Sequence, residues 1–342
     1  MKFGLFDHVD VNDRPLAQQF DERIQYVQAA EEAGFYCYHV AEHHATPLNM
    51  VPVPGVYLGA LARETSKIRL GPLCYLLPLY SPLRLIEEVC ILDHLCRGRL
   101  DVGVGRGVSP FELNFHNVDP ETSREVFQEA LAVLVNGLTH DVLNHEGKHF
   151  HYKDVPMELK PLQQPHPPIW YPSSYPAGAE WGGTNGYQMV TLGGVEHAKS
   201  VLDAYRGALK INGNANPEFD GGAAMGISRQ VIVADTDAEA LKLAEPAYEK
   251  WHASLTKLWR VNQVQGPAIS KNMPETLADA VQNGSAIVGS PDSVRENIKS
   301  QMTAMGANYL VSAFYIGDLP HDAAMRSLDL FSSEVMPSLR DL

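Results

Sequence analysis

Four cysteines in 342 residues are too few and too scattered for a disulfide scaffold. Cys37, Cys74, Cys90 and Cys96 form no CxxC pair and sit in apolar contexts, so they read as buried free thiols in a reducing compartment. Long hydrophobic runs are also missing: no stretch approaches the roughly 18 residues needed to span a membrane. The opening "MKFGLFDHVD" turns acidic before any long apolar segment and lacks the form of a secretory signal. An excess of positive charge is absent too. The formal net charge of −14 repels nucleic acid and anionic membrane surfaces, so an anionic ligand has to be held by a few local cations. The HExxH spacing occurs once, in "HEGKH" (145–149), but on an expected hairpin instead of a helix; no GxSxG elbow or GxGxxG dinucleotide spacing occurs, and no repeat of fixed period or low-complexity tract. What remains is the composition of an ordinary globular protein, 45% hydrophobic and 20% charged, with a cytoplasmic enzyme as the expectation.

Short β-like runs alternate with longer amphipathic stretches along the chain. Residues 2–8 and 36–42 read as strands around a helical pattern at 21–34 that ends on a glycine. A helix near 52–65 leads to a strand at 67–77, a helix at 81–96 to a strand at 99–105, and a further helix is expected near 121–137. Residues 142–152, "VLNHEGKHFHY", read as a hairpin turning at Glu146-Gly147. Four more strands follow at 167–173, 187–192, 226–234 and 308–315, with helices near 195–211, 236–258, 291–305 and 322–335. Eight strands with helices between them predict an α/β fold, a (β/α)8 TIM barrel forming one domain over 1–342. It carries a hairpin insertion after the fourth unit and a lid-like insertion, residues 259–288, after strand seven. A long interval of this kind reads as a mobile lid or as a surface excursion.

Barrel chemistry sits where strands give way to the following loops, and "VAEHHATP" (40–47) lies at such a place. Adjacent strand residues point to opposite faces, so Glu42, His43 and His44 do not readily converge on one ion, and no metal is expected. By alternation His43 shares a face with Ala41, His39 and Cys37, which favours it as the residue reaching a site; a hydrogen-bonded structural histidine is the alternative. In "DVGVGRGVSP" (101–110), Gly103, Gly105 and Gly107 permit close backbone approach and Arg106 suggests an anion; a tight barrel turn reads equally well. Arg124, in the next helix, can approach the same loop. "WYPSSYPAGAEWGG" (170–183) offers Ser173, Ser174 and Gly178 at a helix start, which with the two arginines makes a phosphate cradle, or separately a cap and a turn. His145, His149 and His151 on the hairpin read as structural.

These residues carry a resemblance. "MKFGLF", "AEHH", "LLPLYSPLRLIEEVCILDHLCRGRLDVGVGRG", "DPETSREVF" and "FSSEVMPSL" resemble, from end to end, the bacterial luciferase-like flavin monooxygenases, the central stretch most specifically. The resemblance implies a (β/α)8 barrel, generally dimeric (a homodimer or a heterodimer with a related chain). It implies an enzyme that takes reduced FMN from a separate NAD(P)H:flavin reductase and uses O2, through a flavin C4a-peroxide, to oxygenate a small, largely apolar organic substrate. His43 matches the family's active-site histidine, with His44 and Glu42 as its neighbours. Leu73 and Cys74 fall where the family often has a non-proline cis peptide at the flavin face. Arg106, Arg124, Ser174, Tyr175 and Gly178 match positions around the FMN phosphate. Gly105, Val108, Val190 and Gly193 align near the isoalloxazine, and Trp251 with a tryptophan close to it. Residues 259–288 match a mobile lid.

Departures accompany the matches. Gly105 stands where bacterial luciferase has a reactive cysteine, Ser109 where it has an aromatic, and the phosphate-site residues differ, so light emission with a long-chain aldehyde is not implied. Two other readings stay open: a hydride-transfer oxidoreductase using the deazaflavin F420, whose related barrels hold phosphate in a similar place, and a flavin-binding protein without turnover. The substrate pocket is expected to draw on Phe6, Tyr75, Phe111, Tyr175 and the lid.

Overall fold

The computed structural model describes residues 1–211, 214–264 and 273–342. In chain order the first half comprises β1 (Lys2–Asp7), α1 (Leu16–Ala33), β2 (Cys37–Val40), α2 (Pro54–Glu64), β3 (Arg69–Pro72), β4 (Tyr75–Leu76), α3 (Pro82–Leu95), β5 (Val102–Gly105), α4 (Pro110–Phe115), α5 (Ser123–Thr139) and the antiparallel pair β6 (Val142–Glu146) and β7 (His151–Pro156). The second half comprises β8 (Ile169–Pro172), α6 (Pro176–Thr184), β9 (Gln188–Thr191), α7 (Val195–Ala208), β10 (Met225–Val233), α8 (Asp237–Val261), α9 (Leu277–Asn283), β11 (Ala286–Gly289), α10 (Pro291–Met305), β12 (Tyr309–Ala313), α11 (His321–Leu330) and α12 (Met336–Leu339).

All strands of the main sheet run parallel, in the order β3-β2-β1-β12-β10-β9-β8-β5-β4. The ring closes because β3 and β4 are two pieces of one stave: β4 pairs with the end of β5, and Leu70 bridges to Leu100 just before it. Eight staves with helices outside make a TIM barrel. Alternation sorts each strand. On β1, Phe3, Leu5 and Asp7 face the helices while Gly4 and Phe6 face inward, and a Cβ on Gly4 would lie 1.9 Å from the Tyr309 hydroxyl oxygen. The inner space is filled by a second apolar cluster, including Leu73, Trp170, Val190, Phe219, Tyr309 and Val311. His39 on β2 joins it, its Nε2 2.9 Å from the Tyr309 hydroxyl.

Four expectations need correction. The stave foreseen at 67–77 is interrupted at the Leu73–Cys74 peptide, which is cis. The hairpin turns four residues wide, since Glu146 pairs with His151, and its second strand continues to Pro156. There the Glu129 carboxylate accepts the Lys148, His149 and Phe150 amides, so the turn is fastened to α5. The segment 259–288 is not one insertion: α8 runs on to Val261, α9 ends on Gly284 in the left-handed region, and β11 pairs with β10. Gln230 pairs with both Ala286 and Ala313, so β11 continues the β10 edge used earlier by β9. A strand of four residues is too short for its period to register in a sequence. Residues 265–272 of the expected lid lie outside the described residues. Finally, the closing helix at 322–335 is two helices joined by a π turn, Phe331–Val335.

Candidate active site

The C-terminal ends of the staves open into a cavity of about 520 Å³. Its wall is mainly apolar, from Phe6, Leu73, Leu76, Val190, Leu255, Trp259 and Ile316, with a few convergent polar groups; this is the usual make-up of a small-molecule site. Of the residues expected at a site, Glu42, His43, Leu73, Cys74, Gly105, Arg106, Val108, Arg124, Ser174, Tyr175, Gly178, Val190, Gly193 and Trp251 all border it. His44 does not. Among the expected pocket liners Phe6 and Tyr175 also border it, whereas Tyr75 is fully buried elsewhere with its hydroxyl donating to Glu88, 2.7 Å away.

His43 is held by a residue sixty-nine positions on. Its Nδ1 lies 3.2 Å from Glu112 Oε1, while Glu112 Oε2 accepts the His44 amide at 3.0 Å. Burial alone would lower the His43 pKa, but the charge of Glu112, its hydrogen bond and the charge of Glu42 outweigh this and raise it above the ordinary value. Glu112 is shifted the opposite way: burial would raise it, and His43 with the His44 amide brings it below the carboxylate range. Each partner therefore favours the charged form of the other. Glu112 was not foreseen. "SPFE" (109–112) is a capping-box pattern, and Ser109 does accept the Glu112 amide at 3.3 Å, but the Glu112 carboxylate turns to β2 instead of its own helix.

Glu42 and His44 have different work. Glu42 is buried; Oε2 accepts the Leu76 amide (3.0 Å) and the Tyr80 hydroxyl (2.9 Å), and Oε1 lies 2.8 Å from His44 Nε2. It ties the end of β2 to the chain leaving the cis peptide. His44 turns away from the cavity and packs edge-on against His116, with ring centres 4.4 Å apart. The other histidine at the cavity is His8, also unforeseen, although alternation along β1 carries it inward after Phe6. Burial and the neighbouring His43 hold its pKa well below 6.5.

Across the barrel mouth, β5 and β8 carry the cationic side of the cavity. Arg106 donates to Ser123 Oγ at 3.2 Å, at the start of α5, and Arg124 follows on the same helix. Neither guanidinium pairs with a carboxylate among the described residues. Both bear on Tyr171, whose hydroxyl is pushed up by burial and by Cys74 and pulled back by Arg124 and Arg106. Ser173 accepts the Tyr175 amide at 3.2 Å just before α6, and a Cβ on Gly178 would meet Ser173 Oγ at 2.3 Å. Two arginines and a helix N-terminus thus stand on one rim of the cavity, a donor set whose chemistry suits an anion.

Between the two sides lie Leu73, Cys74, Gly105, Val190 and Gly193. A Cβ on Gly105 would fall 2.3 Å from Cys74 Sγ, so the thiol fills the room the glycine leaves. Burial, aided by Glu42, keeps that thiol protonated far above neutrality. Phe111, expected as a liner, does not border the cavity but meets the lining residue Trp259 edge-on, ring centres 5.7 Å apart. Among the described residues no cluster of three His, Cys, Asp or Glu could hold a metal ion, and no helix is long and apolar enough to cross a membrane.

The sequence model for luciferase-like monooxygenases matches residues 1–309. An uncharacterized protein of Sinorhizobium fredii, y4wF, is 35% identical over 98% of this chain and 96% of its own. The oxygenase component of a flavin-dependent trigonelline monooxygenase from Acinetobacter baylyi is 27% identical over 100% and 96%. Among solved structures, the monooxygenase RslO1 from Streptomyces bottropensis superposes with a TM-score of 0.85 at 26% identity, covering 99% of both chains. With the family model spanning nine-tenths of the sequence and the barrel matching throughout, the chain belongs to the luciferase-like monooxygenase family.

Proposed function

We propose that this protein is the oxygenase component of a two-component monooxygenase. It takes reduced FMN from a separate NAD(P)H:flavin reductase and oxygenates a small, largely apolar organic substrate with O2. The observation that carries the reading is the pair Arg106 and Arg124, without carboxylate partners among the described residues, beside the N-terminus of α6 on the rim of a mainly apolar cavity. In a chain of net charge −14, two unneutralised cations on a cavity rim point to an anion held there, and the FMN phosphate fits. The naming of the Acinetobacter relative as a flavin-dependent oxygenase component supports the same assignment.

In this reading Arg106, Arg124, Ser174, Tyr175 and Gly178 hold the phosphate, and Leu73, Cys74, Gly105, Val108, Val190 and Gly193 border the ring system, with Trp251 near it. When bound, reduced FMN supplies the electrons that activate O2. The protein orients the ring, excludes water and keeps protons at stated places. His43, whose protonated form Glu112 and Glu42 favour, is the residue placed to hold or pass a proton at the reacting centre. Glu42 and His44 act as positioning residues, fixing the chain around the cis peptide and the loop that presents His43. Trp259 at the end of α8, packed against Phe111, helps to keep water from the cavity of a single barrel domain spanning 1–342. The working protein is a cytoplasmic dimer.

The test is rapid mixing: protein saturated anaerobically with reduced FMN is pushed against oxygenated buffer and the flavin spectrum followed. Reoxidation much slower than that of free flavin, accelerated by substrate, is the expected result. Reoxidation with the kinetics of free flavin overturns the reading. Binding of F420 with hydride transfer, and none of FMN, would assign the deazaflavin instead.

A further inference from the structure

The turn between β8 and α6 is fastened by a residue of the next barrel unit. At its start the Ser173 amide donates to the Val190 carbonyl at 3.1 Å, and Ser173 Oγ accepts the Tyr175 amide at 3.2 Å. Between them the Ser174 carbonyl oxygen lies 2.8 Å from Nε2 of His197. A carbonyl only accepts, so Nε2 carries the hydrogen. His197 stands in the first turn of α7, half-buried and twenty-three positions on. It is not among the residues expected at the site.

The helix behind this bond is firmly placed. α6 and α7 pack along one another, and a Cβ on Gly183 would fall 2.6 Å from the Tyr205 carbonyl oxygen, an approach that needs glycine. The Gly183 carbonyl also accepts the Lys210 amide at 2.8 Å. At the other end α7 begins just after Gly193, which borders the cavity. His197 thus reaches Ser174 from a helix held at both of its ends.

What the bond holds is the approach to the rim. Ser174, Tyr175 and Gly178 border the cavity with Arg106 and Arg124. α6 has no side-chain cap: Tyr175 is its N-cap residue, and Pro176, its first residue, has no amide hydrogen. The amides left for an anion are those of Ala177 and Gly178. Their direction follows from the turn before them. Between Ser173 and α6, the one hydrogen bond to another element among the described residues is that of the Ser174 oxygen to His197. With that oxygen committed, its partial negative charge cannot turn towards an anion on the rim.

We infer that His197 is a positioning residue for the phosphate-binding turn. Its Nε2–H fixes the Ser174–Tyr175 peptide and, through it, the presentation of Ser174 and the α6 amides to an anion beside Arg106 and Arg124. The inference rests on the FMN reading for the identity of that anion.

Reach separates this role from packing. The side-chain nitrogen of Gln extends as far as a histidine Nε2, whereas that of Asn stops at the level of Nδ1. FMN and riboflavin are titrated by flavin fluorescence into the full-length wild type, His197→Gln, His197→Asn and His197→Leu, and inorganic phosphate is titrated calorimetrically into the same proteins. His197→Asn and His197→Leu are expected to raise the FMN Kd about three- to tenfold, the loss of one hydrogen bond, with riboflavin affinity unchanged, while His197→Gln stays within about twofold of wild type. If His197→Leu fails to fold, the Asn and Gln pair reads the same contact. Unmoved FMN affinity in His197→Asn, an equal loss for riboflavin, or a loss in His197→Gln as large as in His197→Asn overturns the role. Absence of FMN binding to wild type would sink the cofactor assignment, and phosphate then decides His197 alone. Phosphate binding weakened in His197→Asn and kept in His197→Gln supports the role; no phosphate binding, or none that differs among the variants, overturns it.

Discussion

His43 Nδ1 and Glu112 Oε1 stand 3.2 Å apart, joining the loop after β2 to the short helix after β5. The contact fixes which imidazole nitrogen faces the cavity: with Nδ1 turned to the carboxylate, Nε2 is the atom left for the substrate side. It also gives the pair a definite pH signature.

The His43 pKa in the folded protein lies above its ordinary 6.5, so its share of stability is complete below 6.5 and is lost as pH rises through the raised value. The Glu112 pKa lies below its ordinary 4.5, so its share is complete above 4.5 and is lost as pH falls through the lowered value. Glu112→Gln should therefore lower the melting temperature most between these two ordinary values, the gap to wild type narrowing as pH rises further. The same variant should lower kcat about tenfold or more and move the alkaline limb of its pH profile to lower pH. A pH-independent melting difference with an unmoved limb would show Glu112 to be packing alone.

The arginine pair should dominate cofactor affinity. Arg106→Ala and Arg124→Ala are each expected to raise the FMN Kd by about ten- to a hundredfold, the range for losing a charge-assisted hydrogen bond. The loss should shrink in high salt, and riboflavin, without the phosphate, should bind wild type and variants alike. Fluorescence titration of both ligands decides it.

Cys74 and Gly105 compete for one space. Gly105→Ala places a carbon 2.3 Å from Cys74 Sγ and is expected to cost about 1–3 kcal/mol with weaker FMN binding. Adding Cys74→Ala should return most of both. A double-mutant cycle with simple additivity would contradict this crowding.

Gly103 meets backbone instead. A Cβ there would lie 2.2 Å from the Pro72 carbonyl oxygen, which no side-chain trimming relieves. Gly103→Ala should cost about 3 kcal/mol or more, read as a lower urea midpoint at unchanged slope, and Cys74→Ala should not rescue it.

The strands whose alternation is strongest were legible from the chain, and with them the place of the site, because barrel loops follow strand ends wherever the strands are. His43, Arg106, Arg124 and Gly178 were reachable by that route. His8 was reachable too: the period of two that put His43 on the inner face puts Phe6 and His8 there. Glu112 was not. Its capping-box setting reads as local, whereas its carboxylate is used across sixty-nine residues.

Local pattern alone determined that this is a (β/α)8 chain with histidine on one inward face and glycine–arginine loops on another, since apolar periodicity and backbone permissiveness are properties of neighbours in sequence. The tertiary structure decided what those residues do to one another. Closing eight staves into a ring set the arginine rim across the mouth from His8, gave His43 its carboxylate, took Glu42 and His44 into the scaffold, and fitted the Cys74 thiol into the space left by Gly105. Such pairings depend on distances between segments far apart in the chain, and burial then sets their charge by removing water.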